Sequence, residues 1–197
     1  MILAWAVIVG FLIALIRFRG DTLNQVAAIP LQYPLLVLLA VGMQIPLLRS
    51  PGGPTSEVAL QQVLFLLSHL FLLVFVWLNR RIQGVMVIGI GLVLNLLIIL
   101  LNSGFMPIAP ETLVKINAGT VVTDWPHGIH YGFSKDIILT KETTRLWLFS
   151  DILVIPPPFP FSVAFSFGDI LISIGIIALL AKKRITKETE MPIAGAE

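Results

Sequence analysis

Cysteine is missing from the chain. Disulfide frameworks, thiol nucleophiles and cysteine-bound zinc are therefore excluded. Charge is scarce too. Asp, Glu, Lys and Arg make up 12% of the 197 residues, where a soluble domain carries about 25%. The basic residues stand singly or in short groups between apolar runs, and the formal net charge is only +2. That distribution argues for membrane topology and against nucleic-acid binding.

What is present is apolar: 57% of the residues are hydrophobic and the mean hydropathy is +0.96. The composition is that of an integral membrane protein. A helix crossing ~30 Å of hydrocarbon needs about 20 mostly apolar residues. Five stretches qualify as candidate spans: 1–16, 30–48, 58–78, 82–101 and 163–181. The second carries Pro34 and Pro46, so irregularity is expected near its ends. The first begins with no basic residue before it and shows no small-residue cleavage site, so it reads as a retained span rather than a signal peptide.

Orientation follows from the basic residues. Arg17 and Arg19 follow the first span, Arg80 and Arg81 the third, and Lys182, Lys183, Arg184 and Lys187 the fifth. With five spans these junctions fall on one side, which predicts an outer N-terminus and a cytoplasmic C-terminus. The segment 102–161 then forms a long external loop. A short helix is expected within it near 110–118, opened by Pro110 and stopped by Gly119. Residues 188–197 read as a disordered cytoplasmic tail, and residues 1–187 as a single transmembrane domain. The predicted class is an all-α polytopic membrane protein.

Two carboxylates interrupt the apolar C-terminal region. Asp151 and Asp169 stand eighteen positions apart in SDILVIPPPFPFSVAFSFGDILISIG. The prolines Pro156, Pro157, Pro158 and Pro160 forbid one continuous helix, so the chain must turn between them. Two carboxylates brought together in a low dielectric share a proton, and such a pair can activate water and then protonate a leaving amine. A simpler reading exists for one of them. Ser166 to Asp169 has the spacing of a capping box, which occupies Asp169 at a helix start. Arg145 is positioned to salt-bridge Asp151.

Other polar residues are weighed the same way. His69 in LLSHLFLL reads as a core histidine bonded to Ser68 or Asn95. His127 and His130 carry only a weak metal pattern and read as part of a polar loop, so no metal and no cofactor are expected. Asn95 and Asn102 lie seven apart on one helical face, where they can glue spans together. Asn102 could alternatively hold a substrate carbonyl. Gly84, Gly89 and Gly91 allow close helix contact.

The run FSFGDILISIGIIALL resembles the last span of signal peptidase II, the lipoprotein signal peptidase. In that family an aspartate opens the final helix, with isoleucine three and glycine six positions later; here these are Asp169, Ile172 and Gly175. A second catalytic aspartate precedes it by just under twenty residues, matched here by Asp151 in SDIL, with Arg145 upstream. The resemblance, confined to 145–180, implies an aspartyl dyad of Asp151 and Asp169 at the outer face. The chain also resembles a family of uncharacterised bacterial multi-span membrane proteins, through NSGFMPI, TRL, SDI and FGDILI.

The expectation is a protein of the bacterial cytoplasmic membrane whose best function is aspartyl hydrolysis of a membrane-embedded peptide or lipoprotein substrate. Asp151 and Asp169 would be catalytic, with Asn102, Arg145 and Ser166 positioning. The alternatives are a non-enzymatic subunit packing against partner membrane proteins and a small proton-coupled transporter.

Overall fold

The computed structural model describes residues 2–159 and 161–183. Pro160, Arg184, Lys187 and the tail 188–197 lie outside them. Five apolar helices dominate: α1 (Ile2–Phe18), α3 (Leu35–Leu48), α4 (Ala59–Leu78), α5 (Val85–Leu101) and α7 (Phe167–Leu180). Two short helices, α2 (Thr22–Ala27) and α6 (Pro110–Ile116), lie in the connections. One helix is long and apolar enough to cross a membrane, α4 with the 3-10 turn before it, Thr55–Leu78. The other four apolar helices run 14 to 17 residues, or about 21–26 Å at 1.5 Å per residue.

The all-α expectation is corrected, because the chain also builds two small sheets. Strands β1 (Gly53–Pro54), β2 (Met106–Ile108), β3 (Ile129–His130) and β4 (Asp136–Ile138) form a sheet in the order β1-β3-β4-β2. The β2–β4 pair is parallel, with Met106 opposite Asp136 and Ile108 opposite Ile138. A hairpin pairs β5 (Leu153–Ile155) with β6 (Val163–Phe165). The external loop expected between the fourth and fifth spans is thus folded structure. The expected fifth span is shorter than its apolar run. Val163–Phe165 pairs with β5, and the helix begins only after Ser166. The helix expected at 110–118 is present as α6, with Pro110 in its first turn.

In space the apolar helices follow the order α1–α7–α5–α4–α3. The α5–α7 contact is made through glycine. Gly84 lies against Gly175, and Gly91 against Gly168, seven residues apart on each helix and running antiparallel. A Cβ on Gly91 would sit 2.5 Å from the Gly168 carbonyl oxygen, and one on Gly175 would sit 2.6 Å from Ile88. The backbones approach where no side chain fits. On the other flank of the bundle, Gln44 of α3 donates to Ser68 of α4 at 2.9 Å. The Asn79 side chain at the end of α4 pins the irregular stretch before α3 through both backbone groups of Gln32 (2.7 and 2.9 Å).

All the sheet structure gathers at one end of the bundle. Strand β1 comes from the α3–α4 connection and joins the sheet built from the segment after α5. Phe65, Ile98, Ile99 and Leu47 from the helices pack there with Phe105, Met106 and Ile137 from the sheet. The chain ends that bear Arg17, Arg19, Arg80, Arg81, Lys182 and Lys183 are the opposite helix ends.

The glycine seam sets a clear contrast. Gly91→Ala should lower thermal stability by about 1–3 kcal/mol through overpacking. Gly42→Ala, in α3 with open space around it, should leave stability unchanged or raise it. Thermal unfolding of the two variants in detergent measures both.

Candidate functional site

The site begins where α5 ends. Asn102 closes the last turn by donating to the Ile98 carbonyl (2.8 Å). The same side chain clamps Arg145 on both sides, donating to its carbonyl (3.0 Å) and accepting from its N–H (2.9 Å). Ser103 and Gly104 then take left-handed conformations, φ 59 and 77, and turn the chain into β2. Gln62 of α4 donates to the Ser103 carbonyl and secures this turn.

Strand β2 brings two distant segments together. The Met106 N–H donates to the Lys135 carbonyl at 3.0 Å, and the Pro107 carbonyl accepts from the Asp151 N–H at 3.2 Å. Lys135 and Asp151, sixteen residues apart in sequence, are thereby placed on neighbouring strands of backbone. Their side chains meet, with Lys135 Nζ 2.7 Å from Asp151 Oδ2 and 3.5 Å from Asp136 Oδ1. The Asp151 side chain is 2% exposed and that of Lys135 is 31% exposed. Asp151 is sealed within the protein, and the lysine leads from it toward the surface.

The charges do not balance. Burial raises the Asp151 carboxyl most, Lys135 opposes it, and the carboxylates of Asp136 and Asp169 raise it further, leaving it at about 7. Burial pulls Lys135 down, but the fields of Asp151, Asp136 and Asp169 outweigh it and hold its ammonium above the ordinary lysine range. Lys135 therefore stays charged while Asp151 titrates near neutrality. The second oxygen of Asp151, Oδ1, is buried with no hydrogen-bond partner among the described residues.

Asp169 sits differently. Ser166 caps α7 by accepting from the Asp169 N–H (3.1 Å), and Asp169 Oδ2 accepts from the Ser166 N–H (3.2 Å). This is the capping box expected from the sequence. Asn95 of α5 completes it. Its amide nitrogen donates to Asp169 Oδ1 at 2.9 Å, and its oxygen accepts from Ser166 Oγ at 2.8 Å. Gly168 leaves the room that the Asn95 side chain fills. The glycine seam is thus what lets Asn95 reach the start of α7, and gluing helices is the work the structure gives it. Both Asp169 oxygens are occupied, and no hydrogen bond joins Asp169 to Asp151. Asp169 nonetheless lies within electrostatic reach of Asp151, Lys135 and His69.

The remaining expectations resolve individually. Arg145 makes no ion pair among the described residues, and its side chain is exposed. Lys135 takes the place beside Asp151 that the sequence offered to Arg145. Asn102 spends its amide on the Arg145 backbone. His69 bonds the Phe65 carbonyl through Nδ1 at 2.9 Å, in place of Ser68 or Asn95. His127 is exposed, while His130 is buried against Ser134 and Phe105. No group of three His, Asp or Glu able to hold a metal occurs among the described residues. The residue that sequence reasoning missed is Lys135. Its signal was the charged pair Lys135-Asp136 leading directly into the buried Ile137-Ile138 of β4.

These features define a mostly helical, strongly apolar protein with a buried lysine–carboxylate cluster at one end of its bundle. The chain belongs to DUF5317, a family of unknown function, whose model matches residues 28–181. That span contains the whole cluster and four of the five apolar helices. No curated protein and no solved structure matches the chain.

Two outcomes test the cluster. Lys135→Met should destabilise by about 2–4 kcal/mol, near the low end for a broken buried pair because Lys135 is partly exposed; chemical unfolding measures it. Because the Asp151 carboxyl titrates at about 7 when folded and at 3.8 in the reference state, the folded form holds a proton that the unfolded form has released. Its contribution to stability is full below the lower value and is lost as pH rises to about 7. Asp151→Asn should remove that slope from the pH dependence of stability.

Proposed function

We propose that this is a five-span membrane protein whose lysine–carboxylate cluster, at the outer face, is the centre of an aspartyl hydrolase acting on a membrane-embedded substrate. The observation that carries the proposal is Asp151. It is a sealed carboxyl, raised to about 7, with one oxygen held by Lys135 and the other left without a partner. A carboxyl with a pKa near the working pH serves equally as base and acid.

Large apolar side chains stay exposed along every long helix, among them Ile16, Leu38, Leu60, Ile90 and Ile174. A soluble monomer rarely leaves so much apolar surface uncovered, and a bilayer would cover it. The short helices α3, α5 and α7 fit this reading because on that side they continue into sheet or hairpin rather than into lipid. The basic helix ends would then face the cytoplasm.

In the proposed reaction the site opens to admit water and substrate, and ionised Asp151 takes a proton from the water through Oδ1 as the water adds to the scissile carbonyl. The protonated carboxyl then gives that proton to the leaving amine. Lys135 would stabilise the oxyanion while staying charged. Burial and Asp136 would keep the Asp151 pKa high, and Asp169, fixed by Ser166 and Asn95, would add to that negative field from a distance. Arg145, with a free guanidinium on a backbone clamped by Asn102, would position the substrate.

A second reading is favoured by Asp169 itself. Both of its oxygens are filled by structural hydrogen bonds, which suits a non-enzymatic subunit stabilised by the cluster and packed through its apolar faces against partner subunits.

The test uses the full chain in liposomes with membrane-embedded peptide substrates. Asp151→Asn should lower cleavage by about 10²–10⁴-fold while retaining the fold by circular dichroism. A variant with undiminished cleavage removes the hydrolase reading, and so does a wild-type chain that cleaves nothing.

A further inference from the structure

A cavity of about 260 Å³ opens between α6 and the segment that leads from Lys141 to Ile152. It is lined by Glu111, Thr112, Lys115, Lys141, Glu142 and Trp147. Its four charged side chains, Glu111, Lys115, Lys141 and Glu142, belong to exposed residues. The two acids and two bases make no ion pair with one another or with any other described residue. Lys141 instead stacks on the Trp147 ring, with Nζ 4.1 Å from its centroid. Thr112 is only 5% exposed, yet its hydroxyl makes no hydrogen bond among the described residues. Thr112 lines the cavity, so its hydroxyl is open to whatever occupies that space rather than to a protein acceptor.

The chemistry required of an occupant is specific. A simple anion would suit the lysines and be repelled by both glutamates, and a simple cation would meet the reverse. A ligand carrying both signs satisfies all four side chains. The volume falls below the ~300–1,000 Å³ of sites that enclose drug-sized ligands, so a head group fits and attached chains must stay outside. The neighbours of Trp147 point the same way. Leu146 and Leu148 are 47% and 53% exposed, so apolar residues flank a tryptophan at the rim, the composition of a membrane–water interface.

We propose that this cavity holds the head group of a zwitterionic aminophospholipid of the outer leaflet, resting on the membrane orientation given above. Lys115, Lys141 and the Thr112 hydroxyl donate to the phosphate. Glu111 and Glu142 accept from the primary ammonium, and Trp147 packs its ring beneath Lys141 at the interface. Ile152 lines the cavity and is joined through the backbone to Asp151, so the head group would sit one residue along the chain from the buried carboxyl.

Native mass spectrometry of the full-length chain, purified with phosphatidylethanolamine or phosphatidylglycerol in mixed micelles, tests this. Phosphatidylethanolamine should be retained about tenfold more strongly, the size of one charge-assisted hydrogen bond. The double substitution Glu111→Gln with Glu142→Gln should abolish the preference, and Lys141→Gln should weaken retention of both lipids. Equal retention of the two lipids, or a double variant that keeps the preference, overturns the proposal. Displacement of the lipid by phosphoethanolamine alone overturns the bilayer source in favour of a soluble ligand. Asp151→Asn should leave lipid retention intact, so a failed hydrolase reading and an empty head-group site give different results.

Discussion

The buried pair of Lys135 and Asp151 is the constraint on which the sheet-bearing end of this protein depends. Placing a carboxylate at 2% exposure is costly unless a cation and hydrogen bonds accompany it. The cation comes from the strand entering β4 and the carboxylate from the segment before β5. Only β2, bonded to Lys135 on one side and to Asp151 on the other, brings them to one place. The turn at Ser103 and Gly104, the Asn102 clamp on Arg145 and the parallel β2–β4 pairing are all means of holding that strand in register. A slip of one residue along β2 would turn its side chains to the opposite face and part the pair.

A second layer lies immediately beneath. The glycine seam between α5 and α7 lets two backbones touch, and this contact delivers Asn95 to the first turn of α7. Asn95, Ser166 and Asp169 then close a ring of four hydrogen bonds. The cluster above and the ring below are joined by field rather than by contact. Asp169 contributes to the raised pKa of Asp151 without touching it. The packing of α5 on α7 thereby adds to a proton affinity that burial of Asp151 mainly sets.

Much of the helical frame was legible in the sequence because helices write their signals locally. The apolar runs, the Pro110 start, the Ser166–Asp169 capping box and the small-residue face at Gly84 and Gly91 are all patterns within a few turns. The sheets were not legible. Strands of two or three residues, such as Gly53–Pro54 and Ile129–His130, are too short for alternation to show. Their pairing is set by contacts between segments as distant as the α3–α4 connection and residue 130. The run Val163–Phe165 was absorbed into an expected helix because strand and helix share its apolar character. The candidate site divides on the same line. Asp151 and Asp169 stood out as lone carboxylates in apolar sequence, whereas Lys135 gained its role only from a partner sixteen residues away.

Membership of a family of unknown function leaves the cluster as the feature from which a role must be argued. Its central property is a carboxyl that keeps its proton until near neutral pH beside a lysine that stays charged. Isotope-edited infrared spectroscopy of the full chain in lipid reads that property directly. A protonated carboxyl band that disappears as pH rises through about 7, and that is absent in Asp151→Asn, is the predicted result. A band that persists unchanged in Asp151→Asn, or a wild-type spectrum with no protonated carboxyl below neutral pH, would contradict it.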